Sequence, residues 1–377
     1  MRHKAAKRTR VDLFLTFLRV ALTSLVVVGV FLFVMQQLDA DNVFARRLNP
    51  DAQALTRAQF EGLVVSGLSQ GAMYGLIALG YSMVYGVLGF INFAHGEVFM
   101  VGAMTGMITS NKLADAGMWD PASGFGDANF LLALVIVVMV CTLCSTMTAV
   151  IMERVAYRQL RGAPRLIPLI TSIGVSFFIQ QSSELLLGPG AKAYARLPEW
   201  LSDKQSFLGA EIERTKFVVI VVAAISMGAL WYLVERTKTG KAMRAVAEDK
   251  EIAALMGIDV DRTIVTTFAV GGAMAGVAGM LWGILFGSVT SFTGFLPGIK
   301  AFSAAVVGGI GNLGGAMAGG LSIGGAESVA PLVILEPLGI PGVSQLKDAV
   351  AFTMLIFVLL VKPNGLFGER LSSEDRA

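Results

Sequence analysis

The chain has 377 residues, of which 55% are hydrophobic and only 15% are charged, whereas a soluble domain carries about 25% charged residues. More than half of the chain lies in long windows that contain no Asp, Glu, Lys or Arg. Because a bilayer core of about 30 Å takes roughly 20 apolar residues per helix, these windows exclude a soluble fold. The run at 132–140 lacks the alternation of a membrane β-strand. We therefore predict an all-α, polytopic transmembrane helical bundle.

Several other classes of protein are excluded by the same counts. The net charge of +3 is small and scattered, which does not indicate a nucleic-acid surface. Cys141 and Cys144 lie in an apolar run, so they do not indicate a disulfide framework. His3 and His95 are the only histidines, which excludes a histidine-rich metal site. We expect no catalytic residue, no metal and no cofactor bound by this chain.

The first apolar stretch in chain order, 13–35, follows a basic N-terminus. It is longer than the apolar region of a typical secretory signal, and no small-residue cleavage site follows it directly, so we predict a retained first helix. Positive charge tends to stay in the cytoplasm, and the distribution of Lys and Arg among the later loops places both termini there. The basic residues ahead of this stretch are Arg2, Lys4, Lys7, Arg8 and Arg10.

Two cytoplasmic termini require an even number of crossings, and eight complete crossings fit. The glycine-rich stretch 299–330 is then predicted to enter the membrane and return on the same side. Lys300 is assigned to an outer segment and Glu327 to the end of a span, and the alternative is a different count, up to ten spans. The eight predicted spans are about 13–36, 59–80, 93–110, 129–151, 166–187, 217–235, 263–287 and 346–362.

Two glycine-rich segments indicate an internal repeat. The pentapeptide Gly-Ala-Met-Tyr-Gly at 71–75 recurs at 272–276 as Gly-Ala-Met-Ala-Gly, and the predicted topology gives the two helices opposite directions. Inverted repeats are common in transporters, which bind substrate at the repeat interface. Chance similarity among Gly/Ala-rich segments is the alternative. Glycines at four-residue spacing, as at Gly67, Gly71 and Gly75, also predict close helix packing.

A basic loop in the second half of the chain is predicted to contain two short helices. Thr239 can cap the first helix. Ile252, Leu255 and Met256 form one apolar face of the second helix, which Gly257 is placed to end. Such an element either lies on the membrane surface or inserts into a groove of a partner protein. Its mixed charges favour the partner protein.

Four separated motifs resemble a known family. They are residues 78–86, 92–97, 251–257, and 298–302 together with 308–311. The segment 251–257, Glu-Ile-Ala-Ala-Leu-Met-Gly, looks like the cytoplasmic loop motif of permease subunits of ABC importers, although Ile252 stands where that motif has a small residue. The others resemble the high-affinity branched-chain amino acid permeases of that superfamily. The resemblance covers roughly 59–368.

The resemblance implies a transport subunit rather than an enzyme. Such a chain is one half of a permease heterodimer in the bacterial inner membrane, and it binds two cytoplasmic ATPases and a periplasmic substrate-binding protein. ATP and Mg would be used by the ATPases, since this sequence lacks a Gly-x-x-x-x-Gly-Lys-Ser/Thr phosphate loop. The implied activity is ATP-driven import of branched-chain or related amino acids by alternating access. The alternatives are a permease for urea or short amides and a secondary transporter without an ATPase.

The resemblance also divides the chain into parts. Residues 1–58 form a basic N-terminus, first transmembrane helix and outer loop, and 59–368 form the permease core. Within the core, 236–258 is the cytoplasmic loop expected to dock the ATPase, and 369–377 is a cytoplasmic tail. The residues expected to couple the permease to the ATPase are Arg244, Glu251, Ile252, Ala253, Leu255, Met256 and Gly257.

Six polar residues are candidates for the translocation pathway or for gating. Gln70, Tyr74 and Asn312 are near the predicted repeat interface, and interhelical hydrogen bonding is the alternative role for these three. An ionisable group within an apolar region is costly unless it faces the bundle interior or a cavity. The structural alternative is that Asn92 caps the helix that His95 and Glu97 begin, with Glu97 at the favourable end of its dipole. The candidates are Gln70, Tyr74, Asn92, His95, Glu97 and Asn312.

Two strings match enzyme motifs in the wrong context. The stretch 67–71 matches Gly-x-Ser-x-Gly around Ser69, but the nucleophile elbow needs a strand-to-helix turn. The stretch 309–314 matches Gly-x-Gly-x-x-Gly, but no β-strand is predicted ahead of it. An intramembrane hydrolase that uses Ser69 is therefore a remote rival.

Overall fold

A computed structural model shows a bundle of helices. It describes residues 10–38, 56–124, 126–164, 166–207, 210–338, 340 and 342–368, so the basic residues before Arg10 and the tail 369–377 lie outside it. The helical bundle predicted from the sequence is confirmed. The helices are α1 (Arg10–Leu38), α2 (Arg57–Leu88), α3 (His95–Asp115), α4 (Ala128–Met152), α5 (Leu166–Leu187), α6 (Glu199–Ser202), α7 (Arg214–Arg236), α8 (Lys238–Glu248), α9 (Lys250–Leu255), α10 (Val260–Phe286), α11 (Phe295–Gly308), α12 (Leu313–Ala330) and α13 (Lys347–Val361).

Short elements join these helices. Two antiparallel strand pairs are present, and π-helical and 3-10 turns extend α4 and α12. The strand pairs are β1 (Lys192–Ala193) with β4 (Ser288–Val289), and β2 (Lys204–Phe207) with β3 (Ala210–Glu213). The π-helical turns are Glu153–Tyr157 and Pro331–Leu335, and the 3-10 turns are Arg158–Leu160, Glu336–Leu338 and Val343–Leu346.

Local sequence signals set the ends of the central helices. The Thr56 side chain accepts the Gln59 backbone N–H at 3.3 Å, and the Gln59 side chain accepts the Thr56 N–H at 3.0 Å. This capping box begins α2. The helix ends at Gly89, with φ of 77°, and α10 ends at Gly287, with φ of 68°. Glycine enters this left-handed conformation without the steric penalty of a side chain, so it stops both helices.

Each of the eight predicted spans falls on a helix. However, the eight described helices that are long and apolar enough to cross a membrane differ from the eight predicted spans by one helix. Among the described residues, eight helices are long and apolar enough to cross a membrane, and they include Leu313–Leu338 but not α3. In α2, 67% of the most apolar window is buried inside the bundle, against 61% in α10 and 11% in α1. The bundle is therefore built around α2 and α10, with α1 at its periphery.

The stretch 299–330, which was predicted to enter the membrane and return on the same side, forms a hairpin of two helices. α11 and α12 run antiparallel, since Gly308 lies against Gly315 and Ala304 lies against Gly319, and the glycine-rich centre is the tight turn between them. The helix that follows this turn, Leu313–Leu338, is by itself long enough to cross a membrane. By length and composition, α12 with its extension is therefore a candidate span. Added to the eight helices of membrane-crossing length, α3 and the shorter apolar helix α11 bring the candidate membrane segments among the described residues to ten, the upper limit of the prediction.

Two helices begin inside the bundle rather than at its end. α3 starts with His95, whose ring lies against Gly80, eight residues or about 12 Å before the end of α2. α11 starts beside it, because a Cβ on Gly96 would lie 2.6 Å from the Gly294 carbonyl oxygen and 2.9 Å from the Gly298 Cα. The loop 89–94 thus turns back into the bundle before α3 begins.

The two repeats have opposite directions. α3 runs parallel to α10, since His95 lies beside Gly271 and Gly102 lies beside Gly276. Because α3 turns back along α2, α2 and α10 run antiparallel. The two helices that carry the repeated pentapeptide therefore have the inverted orientation predicted from the sequence.

Glycines line the contact between α2 and α12. A Cβ on Gly71 would lie 2.9 Å from the Gly320 carbonyl oxygen, and one on Gly67 would lie 3.0 Å from the Gly324 carbonyl oxygen. Small residues at four-residue spacing let transmembrane backbones approach this closely. The close packing predicted for these α2 glycines is confirmed, with α12 as the partner.

Candidate functional site

The predicted loop helices project from one end of the bundle, which we call the docking end. The Thr237 hydroxyl accepts the Gly240 N–H at 3.1 Å, so Thr237, not the predicted Thr239, caps α8. The Asp249 carboxylate caps α9 by accepting the N–H groups of residues 251 and 252 at 2.8 and 2.9 Å. Gly257, with φ of 84°, ends the segment as predicted.

The apolar face of α9 is open to solvent. Ile252 is 59% exposed, Met256 78% and Leu255 86%, whereas Ala253 is buried. We call residues 250–257 the docking segment. Large apolar side chains that are this exposed outside the membrane are typical of a surface covered by a partner. Ala253 instead packs α9 onto the bundle.

The other two predicted coupling residues have different surroundings. Glu251 is exposed in the first turn of α9, where the helix dipole favours negative charge. The Arg244 guanidinium donates to the Val234 carbonyl and to the Glu235 carboxylate, each at 2.7 Å. Arg244 therefore ties α8 to the end of α7, and its coupling role stays a prediction.

A cluster of charged side chains, which sequence reasoning missed, lies beside the docking segment. Arg161 forms ion pairs with Glu153 and Asp261, and Arg158 Nη2 donates to Asp261 at 3.1 Å. The Glu153 carboxylate is fully buried. Partial burial, together with the nearby Arg161 charge, lowers the pKa of Lys250. These residues join α4, α9 and α10 at the docking end.

Two ionisable residues, His95 and Glu97, are buried at the start of α3. The His95 ring packs edge-on against Tyr81, with 5.0 Å between centroids. Glu97 Oε1 accepts hydrogen bonds from Ser176 Oγ at 3.1 Å and from Gln180 Nε2 at 2.6 Å. His95 Nε2 and Glu97 Oε2 have no hydrogen-bond partner among the described residues. The pair is thus held inside the bundle with one polar atom each unsatisfied.

Asn92 orders the loop before α3 instead of capping the helix. Ala94 is the N-cap of α3, so the predicted capping role of Asn92 is wrong. Asn92 Oδ1 accepts the Ala94 N–H at 3.1 Å and the Tyr157 hydroxyl at 2.6 Å. Asn92 therefore stabilises the turn that comes just before the helix, where the loop 89–94 bends back into the bundle.

The Glu97 carboxylate lies between the N-terminal ends of two helices. Glu97 is in the first turn of α3. At the start of α11, a Cβ on Gly294 would lie 2.7 Å from Glu97 Oε2. Each helix N-terminus carries a partial positive charge, which favours a negative group there. The arrangement can hold one negative charge deep inside the bundle.

A second buried ionic cluster was not predicted. Lys300 Nζ lies 2.6 Å from both Glu327 Oε1 and Asp348 Oδ1, and 3.5 Å from the Tyr74 hydroxyl. The Lys300 and Glu327 side chains are buried, and Asp348 is half exposed. Lys300 is therefore not in an outer segment, and Glu327 is not at the end of a span. The cluster ties α2, α11, α12 and α13 together.

Gln70 and Asn312, the remaining predicted pathway residues, lie apart from the buried cluster of α3. Gln70 is partly buried one turn before Tyr74 on α2. Asn312 caps α12, since its Oδ1 accepts the Gly315 N–H at 2.9 Å, and its Nδ2 donates to the Phe367 carbonyl at 3.1 Å. Asn312 thus has a helix-capping role, which the sequence alone did not distinguish from a pathway role.

The two enzyme-like strings lie in helical surroundings. Ser69 is inside α2, and its hydroxyl donates to the Ser66 carbonyl at 2.9 Å. It is not on a strand-to-helix turn, which the nucleophile elbow requires. The stretch 309–314 is the turn between α11 and α12 and the start of α12. Neither string has the context of the enzyme motif that it matches.

Comparison with known proteins connects this architecture to transporters. Residues 63–359 match the family model described as "Branched-chain amino acid transport system / permease component". The chain is 40% identical over 305 residues to the high-affinity branched-chain amino acid transport system permease protein LivH of Escherichia coli (strain K12), covering 80% of this chain and 94% of that protein. It is likewise 40% identical over 307 residues to BraD of Pseudomonas aeruginosa, described in the same words, covering 81% and 94%.

A third relative is less similar to the chain. The probable branched-chain amino acid transport permease protein LivH of Methanocaldococcus jannaschii is 28% identical over 302 residues, covering 78% of this chain and 88% of that protein. No solved structure matches the chain.

Proposed function

The chain belongs to the family of permease components of branched-chain amino acid transport systems, and on this basis we propose that it is the membrane permease subunit of an ATP-driven importer for branched-chain or related amino acids. The matched region of the family spans most of the chain. The chain is a multi-pass membrane protein and a transport subunit. It works within a transporter complex whose other subunits supply the energy and deliver the substrate.

The exposed apolar face of the docking segment is the observation that carries this proposal. Leu255 and Met256 are among the most exposed large apolar side chains outside the membrane helices. An amphipathic helix with such a face binds a hydrophobic groove. The proposed occupant is one of two ATPase subunits, which use ATP and Mg and push on the docking segment. The docking end is therefore proposed to face the cytoplasm, in a bacterial inner membrane, with both termini on that side.

The translocation pathway is proposed to pass the starts of α3 and α11. Non-helical backbone at membrane depth is tolerated only where protein or a water-filled cavity covers it. The loop 89–94 and the chain that leads into α11 are such backbone. Phe292, Phe295 and Leu296 are about half exposed there, and their apolar surface suits branched aliphatic side chains. We propose that a second permease subunit covers this surface and that substrate, delivered by a periplasmic binding protein, crosses between the two subunits.

A substitution in the docking segment tests the proposed function. Leu255→Arg, and separately the pair Glu251→Arg and Gly257→Arg, should leave membrane insertion intact and lower ATP-driven uptake by at least about 30-fold, since a buried interface anchor contributes about 2 kcal/mol or more. ATP hydrolysis should be uncoupled from uptake. The measurement is amino acid uptake into vesicles that contain the reconstituted complex, together with its ATPase rate.

Glu248→Arg is the matched control, because Glu248 is exposed in the same loop but lies outside the docking segment. It should transport normally. Unchanged uptake by the Leu255→Arg complex would contradict the docking role. Solute flux through the purified chain alone under an ion gradient would instead favour the rival secondary transporter.

A further inference from the structure

A short irregular segment connects the docking end with the loop that precedes α3. We call it the 153–161 segment; it comprises the π-helical turn Glu153–Tyr157, the 3-10 turn Arg158–Leu160 and Arg161. π-helical turns inside α-helices are rare and occur frequently at functional sites. Here the irregular turns end α4, and their side chains reach two different parts of the structure.

One group of side chains reaches the docking end. Arg158 and Arg161 both bind Asp261, which lies in the first turn of α10 and only four residues after Gly257. Arg161 also pairs with the buried Glu153 carboxylate. The two ion pairs with Asp261 hold the 153–161 segment to the start of α10, and the buried Glu153 carboxylate fixes the position of Arg161 within the segment. These bonds therefore lie four residues beyond the end of the docking segment.

The side chain of Tyr157, in the same segment, reaches the loop 89–94. The Tyr157 hydroxyl donates to Asn92 Oδ1 at 2.6 Å, in a fully buried position. The Tyr157 ring also packs against Phe90, at 5.4 Å between centroids, and against Phe268 of α10, at 5.9 Å. Tyr157 therefore contacts both the loop that leads into α3 and the helix that follows the docking segment.

Asn92 also contacts the start of α3. The oxygen that accepts the Tyr157 hydroxyl also accepts the N–H of Ala94, the N-cap residue of α3. His95 and Glu97 follow in the first turn of the helix. Lys250 of the docking segment reaches the end of α2 just before this loop, where its Nζ lies 3.5 Å from the Leu88 carbonyl oxygen. Elements of the docking end thus contact both the loop 89–94 and the end of the helix that precedes it.

We propose that Tyr157 is a positioning residue that transmits the movement of the docking segment to the start of α3, through its hydrogen bond to Asn92. The inference rests on the proposed function, because it assigns the mechanical route between the ATPase-docking surface and the transport pathway. Tyr157 is fully buried within the chain, so the proposal gives it no contact with the partner ATPase. It acts by setting the position of the loop 89–94.

The conservative variant Tyr157→Phe tests this route, since it removes only the hydroxyl. In vesicles that contain the whole reconstituted complex, the number of substrate molecules taken up per ATP hydrolysed should fall about 5-fold or more, the lower range of measured coupling between sites. The rate of ATP hydrolysis should stay near that of the wild type. A purely structural role would lower the amount of folded complex without changing this ratio.

Tyr194→Phe is the matched control. Its hydroxyl is also buried and also donates to α3, at the Ala103 carbonyl, but it lies outside the 153–161 segment and the loop 89–94. Its ratio of uptake to hydrolysis should equal that of the wild type. Asn92→Ala should lower the ratio as Tyr157→Phe does, and combining the two substitutions should lower it no further, because both act on one interaction.

The outcomes separate this inference from the proposed function. If the wild-type complex shows no ATP-driven uptake, the proposed function fails. If the wild-type complex is coupled but Tyr157→Phe retains its ratio of uptake to hydrolysis, the route through Tyr157 is overturned. Fully additive effects of Tyr157→Phe and Asn92→Ala would also overturn it, since the two residues would then act independently.

Discussion

Replacing Lys300 with methionine should destabilise the folded chain by about 3–5 kcal/mol, the usual effect of removing one partner from a buried ion pair. Lys300 is the only positive group that the buried ionic cluster contains among the described residues, with Glu327 and Asp348 both 2.6 Å from its Nζ. Without it, Glu327 is left as a negative charge inside the bundle, where water does not solvate it. The measurement is the thermal unfolding midpoint of the chain purified in mild detergent.

A second substitution distinguishes an uncompensated charge from simple loss of packing. Replacing a buried ion pair with apolar residues of similar volume is often neutral or stabilising. The double variant Lys300→Met with Glu327→Met should therefore unfold at a higher temperature than Lys300→Met alone. Lys204→Met should change stability by less than about 1 kcal/mol, because its pair with Glu211 is exposed and 3.8 Å long. A double variant less stable than Lys300→Met would contradict this account.

Replacing Gly324 with valine should separate α2 from α12 and destabilise the bundle by about 3 kcal/mol or more, since overpacking a close contact forces the backbones apart. Any Cβ at Gly324 would overlap the backbone of Gly71. The substitution also acts on Glu327, one turn further along α12, because moving that helix draws the carboxylate away from Lys300. The measurements are the yield of folded protein and the unfolding midpoint in detergent.

The neighbouring residue provides the control for this prediction. A Cβ on Gly325 would meet no atom of another described segment within 4 Å, so this position faces open space. Gly325→Val should cost little, because valine has a better helix propensity than glycine by about a few tenths of a kcal/mol. Equal destabilisation by the two substitutions would show that glycine's effect on the helix, and not the contact with α2, governs stability.

Much of the docking segment could be predicted because its signals are local. The spacing of Ile252, Leu255 and Met256 places them on one face of a short helix, and Gly257 ends it at a positive φ. The cap of α8 was misplaced by two residues, since Thr237 and Thr239 are both acceptable cap residues in sequence. Only the backbone conformation distinguishes them.

The buried charges were harder to predict, because their partners are distant in the chain. Lys300 and Glu327 are separated by 27 residues, and Asp348 follows on a third helix. Sequence reasoning placed Lys300 in an outer segment and Glu327 at the end of a span, which are the usual places for ionisable groups near a membrane. The pairing that makes burial tolerable exists only when the three helices pack together. The contact between Tyr157 and Asn92, 65 residues apart, was missed for the same reason.

By itself, the sequence determined the membrane-helical class, the family and the amphipathic docking segment, because apolar length, motif residues and helical periodicity are properties of neighbouring residues. Only the tertiary structure decided where α3 and α11 begin inside the bundle, which charges neutralise one another and which glycines bring α2 to α12. These features depend on contacts between segments that are far apart in the chain. In a bilayer, charged groups and irregular backbone are stable only where other parts of the protein or water satisfy them, and the packing of the helices determines which groups are close enough to do so.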